Sequence, residues 1–309
     1  MELSGLARIV FQSELGSMQL NLAGCAEGLD PVHLHDLRVA ERRTRAALSE
    51  FKGFLPEPLL QEFQEHFRWL HQITNPVRDL DVGISHFPYY RRKISPGRRR
   101  DLQPALVMLQ SQRREAQRQL AEILESGRLD DILQAWSDRL EDGFTLNNQE
   151  SHQSAAEYGC QRICRRFHTI RDKALAIHPG SPPWEFHSLR IRVKKLRYQI
   201  EFYNLVLGQR RISRLLKRFK KFQDILGRLQ DAVVQVEYIH QLADDLIRSG
   251  IASGTQAALE QLIASYQKQI TVCVEQSFKQ VHWLTSSRTA RIFQRGFGCS
   301  PSLLEADLL

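Results

Sequence analysis

The sequence predicts an all-α fold assembled from an internal duplication, and three observations carry that expectation. Apolar residues recur at three- and four-residue spacings through nearly every long segment, while β-branched alternation is scarce. Glycine and proline punctuate only at wide intervals. The pattern His-x-x-Arg-x-x-x-[Arg/Lys]-[Arg/Lys]-x-Arg stands at His35, Arg38, Arg42, Arg43 and Arg45. It returns 152 residues later at His187, Arg190, Lys194, Lys195 and Arg197.

Taken in order, Asp30-Pro31 reads as a helix start, with Asp as N-cap and Pro at the first helical position. Phe54 to Pro58 ends that helix and launches the next. Phe87-Pro88 and then Ser95-Pro-Gly97 mark a loop carrying Arg91, Arg92, Lys93, Arg98, Arg99 and Arg100. A long helix is expected over about 101–126, then a shorter one to about 142. Gly143 to Ser151 is polar and reads as the connection between halves. Pro179 to Pro183 then introduces the second His-Arg helix.

At the same offset Leu37 matches Leu189, Phe67 matches Phe219, Ile73 matches Ile225, Asp79 matches Asp231 and Val82 matches Val234. Residues 33–82 and 185–234 therefore align without a gap. Duplication on this scale argues for two similar helical bundles, 1–150 and 151–309, within a single domain of 309 residues. A solenoid would repeat every 20–50 residues or so.

Composition narrows the function. The net charge of +8 favours acidic partners: nucleic acid, anionic membrane or phosphate polymer. No apolar run approaches the roughly 18 residues that would cross a bilayer. Met1 to Ala7 lacks the character of a signal peptide. Cys25, Cys160, Cys164, Cys273 and Cys299 are odd in number and scattered, unlike a disulfide framework, so a reducing cytoplasm is expected.

On a helix of about 100° per residue, His187, Arg190, Lys194 and Arg197 form one stripe. Leu189, Val193, Leu196 and Ile200 flank it on one side; Ile191, Tyr198 and Phe202 flank it on the other. An ordinary solvated face lies opposite a single apolar face. This stripe is bracketed, so it is expected to line a groove. Residues 187–228 hold thirteen Lys or Arg against two acids, whereas 35–76 hold six of each. The second half should therefore dominate any attraction for anions.

A single Arg/Lys-rich helix is usually solvated surface, but two copies in one register, each with a histidine on the stripe, favour a binding role. The histidines have two readings: packing at a helix start, or contact with an anion that would favour the imidazolium. No carboxylate or thiol stands at useful spacing for either to be a metal ligand, and no cofactor is expected. Asp79 and Asp231 read as orienting neighbouring Arg side chains or closing interhelical ion pairs. No second acid recurs beside them, since Asp81 becomes Val233. Arg113, Arg114 and Arg118 either add a wall to the groove or are solvated. Cys160, Cys164 and His168 share a stripe that reads as core packing. No Walker-type loop, GxGxxG or zinc-finger spacing is present.

These residues resemble the CHAD family, the conserved histidine α-helical domain. The resemblance rests on His35-Asp-Leu-Arg38 with Arg42-Arg43-x-Arg45, on Arg78-Asp79-Leu-Asp81-Val82, on His187-Ser-Leu-Arg190 with Lys194-Lys195-Leu-Arg197-Tyr198, and on Gln223 to Asp231. It implies two pseudo-symmetric antiparallel four-helix bundles that bind inorganic polyphosphate along a basic surface. It also implies association with polyphosphate granules or polyphosphate-metabolising proteins. Family members are often fused to a CYTH triphosphate-hydrolysing domain, but the N-terminal stretch has no Glu-x-Glu-x-Lys signature.

The expected function is thus non-enzymatic binding of polyphosphate. Arg supplies forked contacts to phosphate oxygens and Lys supplies adaptable point charges. His35, Arg38, Arg42, Arg45 and Arg68 are the candidates in the first half, with Arg114 and Arg118 as a further wall. In the second half they are His187, Arg190, Lys194, Arg197, Lys217, Lys220, Lys221 and Arg228. Tyr198 could hydrogen-bond an oxygen at the edge or simply pack. The rival readings are a nucleic-acid binder, which would need more aromatic interleaving, and a histidine-dependent phosphohydrolase, which would need a recurring metal set or a base–nucleophile pair.

Overall fold

The computed structural model describes residues 1–142, 153–207, 209–250 and 253–299; the side chains of 209–211 and 253 are not described. The polar connection expected over 143–151 lies outside these residues. The described chain is helical, and among the described residues there is no strand. It falls into two compact units. The N-terminal unit is Glu2–Gln153 with Ser253–Ala258, and the C-terminal unit is Ser154–Ala252 with Leu259–Leu309 and Met1.

The N-terminal unit contains α1 (Leu3–Glu27), α2 (Pro31–Glu50), α3 (Glu57–Ser85), α4 (Phe87–Lys93), α5 (Gln103–Glu125) and α6 (Arg128–Glu141). The C-terminal unit contains α7 (Ala155–Leu175), α8 (Pro183–Tyr203), α9 (Gln209–Arg248), most of α10 (Ser253–Thr285) and α11 (Ser287–Phe297). The Asp30 side chain accepts from the Val32 N–H at 2.9 Å, capping α2 ahead of Pro31. Glycine ends α1, because Gly28 turns the chain at φ 66°, where a Cβ is disfavoured.

The arginine-rich loop is more regular than its Pro and Gly content suggests. Pro88 sits in the first turn of α4, where no N–H is required, and Pro96–Leu102 forms a 3-10 helix. Burial of Phe87 and Tyr90 pins α4, while Lys93 lies 4.9 Å above the Tyr89 ring. Apolar anchors thus hold a segment whose charges alone favour loop.

Each unit has its own aromatic core. In the N-terminal unit Trp136 of α6 is fully buried against Phe11, Phe63 and Phe67, with ring centroids 5.1, 4.4 and 6.0 Å away. In the C-terminal unit Phe293 of α11 stacks on Phe167 at 3.6 Å and meets Phe219 edge-on at 6.1 Å. Phe67 and Phe219, paired by the 152-residue offset, occupy the two cores.

The cysteine expectation requires correction. Cys164 of α7 is bonded to Cys299, with Cα atoms 5.2 Å apart, because docking of α11 on α7 carries the end of the described chain back to it. Cys164 is therefore not simple core packing, and scattered spacing no longer argues for a reducing compartment. Cys25 and Cys160 carry no disulfide; burial raises the Cys25 pKa to about 12 and also raises that of Cys160. Among the described residues no helix is long and apolar enough to cross a membrane.

Candidate functional site

In the C-terminal unit, α8 is held by Leu189, Val193, Leu196 and Ile200, all at most 1% exposed. That anchoring fixes the rotation of the helix and leaves His187, Arg190, Lys194 and Arg197 half-buried along one flank. Three nitrogens on this stripe are buried without a hydrogen-bond partner: His187 Nδ1, Arg190 Nε and Arg197 Nε. Arg197 also donates through Nη1 to Glu201 at 2.6 Å. Arg190 passes beside Gly227 of α9, where a Cβ would stand 3.8 Å from its Nε. Lys217, Lys220, Lys221 and Arg228 are exposed on α9, and α8 and α9 pack together. Asp231 is exposed on the same helix and does not lack a partner.

Two flanking residues differ from the helical projection. Tyr198 is buried, 5% exposed, and its ring is inclined 27° to that of Phe202, with centroids 6.4 Å apart. It contributes its π face, with Arg197 Cζ 5.1 Å and Lys194 Nζ 5.9 Å from the ring centroid. Ile191 is 40% exposed and so does not wall the stripe as an apolar neighbour. The projection orders residues around a helix but does not say which neighbour covers each face.

In the N-terminal unit the residues matching this stripe at the 152-residue offset are largely engaged by neighbouring side chains. Arg38 Nη1 donates to Thr74 Oγ1 at 2.8 Å and to the His71 carbonyl at 3.0 Å, and Nη2 donates to Asn75 Oδ1 at 2.9 Å. Asn75 in turn donates to Asp79 at 2.6 Å, which links Asp79 to Arg38 through one side-chain amide. Buried Glu41 accepts from Arg45 at 3.1 Å and faces His71 Nδ1 at 3.2 Å. Arg43 is paired with Glu14 at 2.6 Å. At the 152-residue offset Glu41, Thr74 and Asn75 become Val193, Leu226 and Gly227. These three side-chain acceptors of the first stripe are therefore missing from the second.

The remaining candidates divide by environment. Arg42 is half-buried, and Arg68 is exposed on α3. Arg114 and Arg118 are exposed on α5, but Arg118 bonds Glu115 and Glu122, which offsets its charge. Arg113 is tied to buried Asp81 at 3.0 Å. His35 stands exposed beside a cluster of cations. Its pKa is held below the usual value, first by partial desolvation and then by Arg78, with Arg42 and Arg38 adding to this and Asp36 opposing it. Burial also raises the Asp79 pKa and lowers that of Arg38. Among the described residues no three His, Cys, Asp or Glu side chains converge as a metal site would require.

The His35 environment gives a measurable outcome. In the free protein an NMR titration should place its pKa below 6.5, and a bound polyanion should raise it by favouring the imidazolium. Binding would then take up protons, and affinity through this residue would grow as pH falls through that range. A His35 pKa unmoved by ligand would show that the imidazole stands clear of the anion.

A basic cluster that sequence reasoning passed over lies between α7 and α8: Arg162, Arg165, Arg166, Arg192 and Lys195 line one groove. The signal was the i, i+3, i+4 spacing of the three α7 arginines, but only the packing of α7 on α8 brings them to Arg192 and Lys195.

A family model for the CHAD domain matches residues 9–240. The chain belongs to the CHAD domain family. Two solved structures share its fold. The crystal structure of the CHAD domain from the plant Ricinus communis is similar at a TM-score of 0.73 and 24% identity, covering 91% of this chain and 92% of that one. PptA from Streptomyces chartreusis is similar at a TM-score of 0.69 and 16% identity, covering 92% of this chain and 100% of that one. At these identities the likeness speaks for the fold alone. No curated protein matches the chain.

Proposed function

We propose that this CHAD chain binds inorganic polyphosphate without chemical turnover, chiefly through the α8–α9 stripe of the C-terminal unit. One observation carries the reading: buried, unpartnered nitrogens on His187, Arg190 and Arg197, where the matching Arg38 donates through both terminal nitrogens to Thr74, Asn75 and the His71 carbonyl. A buried donor without an acceptor costs stability, and an anionic oxygen in the groove removes that cost. From 187 to 197 the helix rises about 15 Å, enough for one stripe to meet several successive phosphates.

We read the two units as pseudo-symmetric bundles from a duplication. Support comes from three pairs of helix starts at the 152-residue offset: Leu3 with Ala155, Pro31 with Pro183, and Glu57 with Gln209. The copies have diverged in charge, so the N-terminal stripe serves mainly to hold its own helices. Association with polyphosphate granules or polyphosphate-metabolising proteins is the role this binding suits. A binding-only role fits the repeat, because no second acid accompanies both Asp79 and Asp231.

Nucleic acid is the principal rival. The Tyr198 ring is buried and unavailable for stacking, which leaves Trp184, exposed one turn before His187. One such surface is fewer than single-strand binders use. The test is direct competition of long-chain polyphosphate against single- and double-stranded DNA at matched charge and salt, with released orthophosphate assayed beside divalent metal. Tighter binding of polyphosphate and no release are expected. Equal or tighter DNA binding defeats the proposal, and release that is lost in His35→Ala or His187→Ala identifies an enzyme.

A further inference from the structure

The face of α9 that packs on α8 carries an uncharged donor outside the His187 stripe. Gln223 is half-buried, and its Nε2 is enclosed without a hydrogen-bond partner. It stands one turn before buried Gly227, so the two share a face of α9. Arg190 of α8 passes beside Gly227, so that face is turned to the stripe. Val193 of α8 and Leu226 of α9 are buried and apolar, and neither offers a side-chain acceptor.

The duplication shows what this donor has lost. At the 152-residue offset Gln223 corresponds to His71 and Gly227 to Asn75. His71 Nδ1 faces buried Glu41 of α2 at 3.2 Å, and Asn75 Oδ1 accepts from Arg38 at 2.9 Å. In the C-terminal unit Val193 replaces Glu41, so Gln223 lacks the carboxylate that His71 faces. Gly227 replaces Asn75, so Arg190 lacks the amide oxygen that Arg38 engages. A buried amide N–H without an acceptor costs stability, and a ligand oxygen removes that cost.

We propose that Gln223 is a selectivity residue of the α8–α9 site, its amide N–H donating to a non-bridging oxygen of polyphosphate at a depth that nucleic acid does not reach. This rests on the reading of the α8–α9 stripe as the polyphosphate site. Around each phosphorus, a polyphosphate chain presents only oxygens. In nucleic acid every phosphate is flanked by sugars, whose bulk holds it at the rim of the seam. Cations along the rim attract either polymer, because both release counterions on binding. A neutral donor inside the seam adds a contact only for the polymer that enters. The missing side chain at Gly227 leaves room beside Arg190 for the same phosphate.

Gln223→Met keeps a side chain of similar length and removes the donor. Its affinity for long-chain polyphosphate, measured calorimetrically on the full chain, is expected to fall about tenfold or more. The slope of affinity against salt should not change, because no charge is lost. Affinity for single-stranded DNA should stay within about twofold. The thermal midpoint should hold or rise, since a buried donor without an acceptor has been removed; a purely structural glutamine would lower it. Gly227→Asn restores the amide of the first copy, with its Cβ in ordinary contact 3.8 Å from Arg190 Nε, and is expected to weaken polyphosphate by a similar factor. Unchanged polyphosphate affinity in either variant overturns the proposal. So does an equal loss for DNA in Gln223→Met, or a loss that comes with a lowered thermal midpoint. A parent chain that binds no polyphosphate removes the underlying reading as well, whereas a parent that binds and a Gln223→Met variant that binds equally removes this proposal alone.

Discussion

Reversing Arg190 and Lys194 together to glutamate is expected to weaken long-chain polyphosphate by about a hundredfold or more at low salt. Hydrogen bonds to charged groups contribute about 1.5–3 kcal/mol each, so losing two removes about 3–6 kcal/mol, or two to four decades of affinity. The new carboxylates add repulsion. The salt dependence should also become shallower, because fewer counterions are displaced. The control carries the same change of charge at Arg99 and Arg100, exposed in the 3-10 segment, and should cost much less. Filter binding or calorimetry over a salt series reads both variants. A loop pair that matters as much as the stripe would misplace the site. By contrast, Arg38→Ala should show mainly in thermal stability, since Arg38 is engaged by Thr74, Asn75 and the His71 carbonyl.

That contrast marks where sequence reading succeeds. Helix starts such as Asp30-Pro31 and Glu57-Pro58 are local chemistry, set by a cap or a proline, and the structure places them accordingly. The repeat register is likewise local information, and it brings Phe67 and Phe219 into the cores of their units. The neutralised first stripe was half legible. Glu41 stands four residues before Arg45, an ordinary helical ion-pair spacing, but only packing shows that Glu41 is buried and also faces His71.

What remained hidden depends on contacts distant in sequence. Cys164 and Cys299 are 135 residues apart, and their meeting follows from α11 lying on α7. The α7–α8 groove needs two helices brought side by side before its basic residues gather. Tyr198 and Ile191 show the same limit on one helix, since burial is decided by the neighbouring element and not by angular position.

Arg113 tests the reading of the α5 arginines, and its loss is expected to have a large effect on stability. Its Nε donates to Asp81 Oδ1 at 3.0 Å, and its Nη2 donates to the Gly28 carbonyl at 2.9 Å, tying α5 to α3 and to the end of α1. The Asp81 side chain is 5% exposed and that of Arg113 is 18% exposed. Arg113→Leu leaves a buried carboxylate without its cation, a change that costs about 3–5 kcal/mol. For a unit of this size the midpoint of thermal unfolding should fall by roughly 6–20 °C. The repeat supplies the compensating change, because Val233 stands where the first half has Asp81. Adding Asp81→Val removes the stranded charge, and replacing a buried pair by apolar side chains is often neutral or stabilising. The double variant should therefore recover most of the loss, with polyphosphate affinity unchanged throughout. A single variant that melts like the parent would show the pair to be dispensable. A fall in affinity with stability preserved would instead place Arg113 on the anion path.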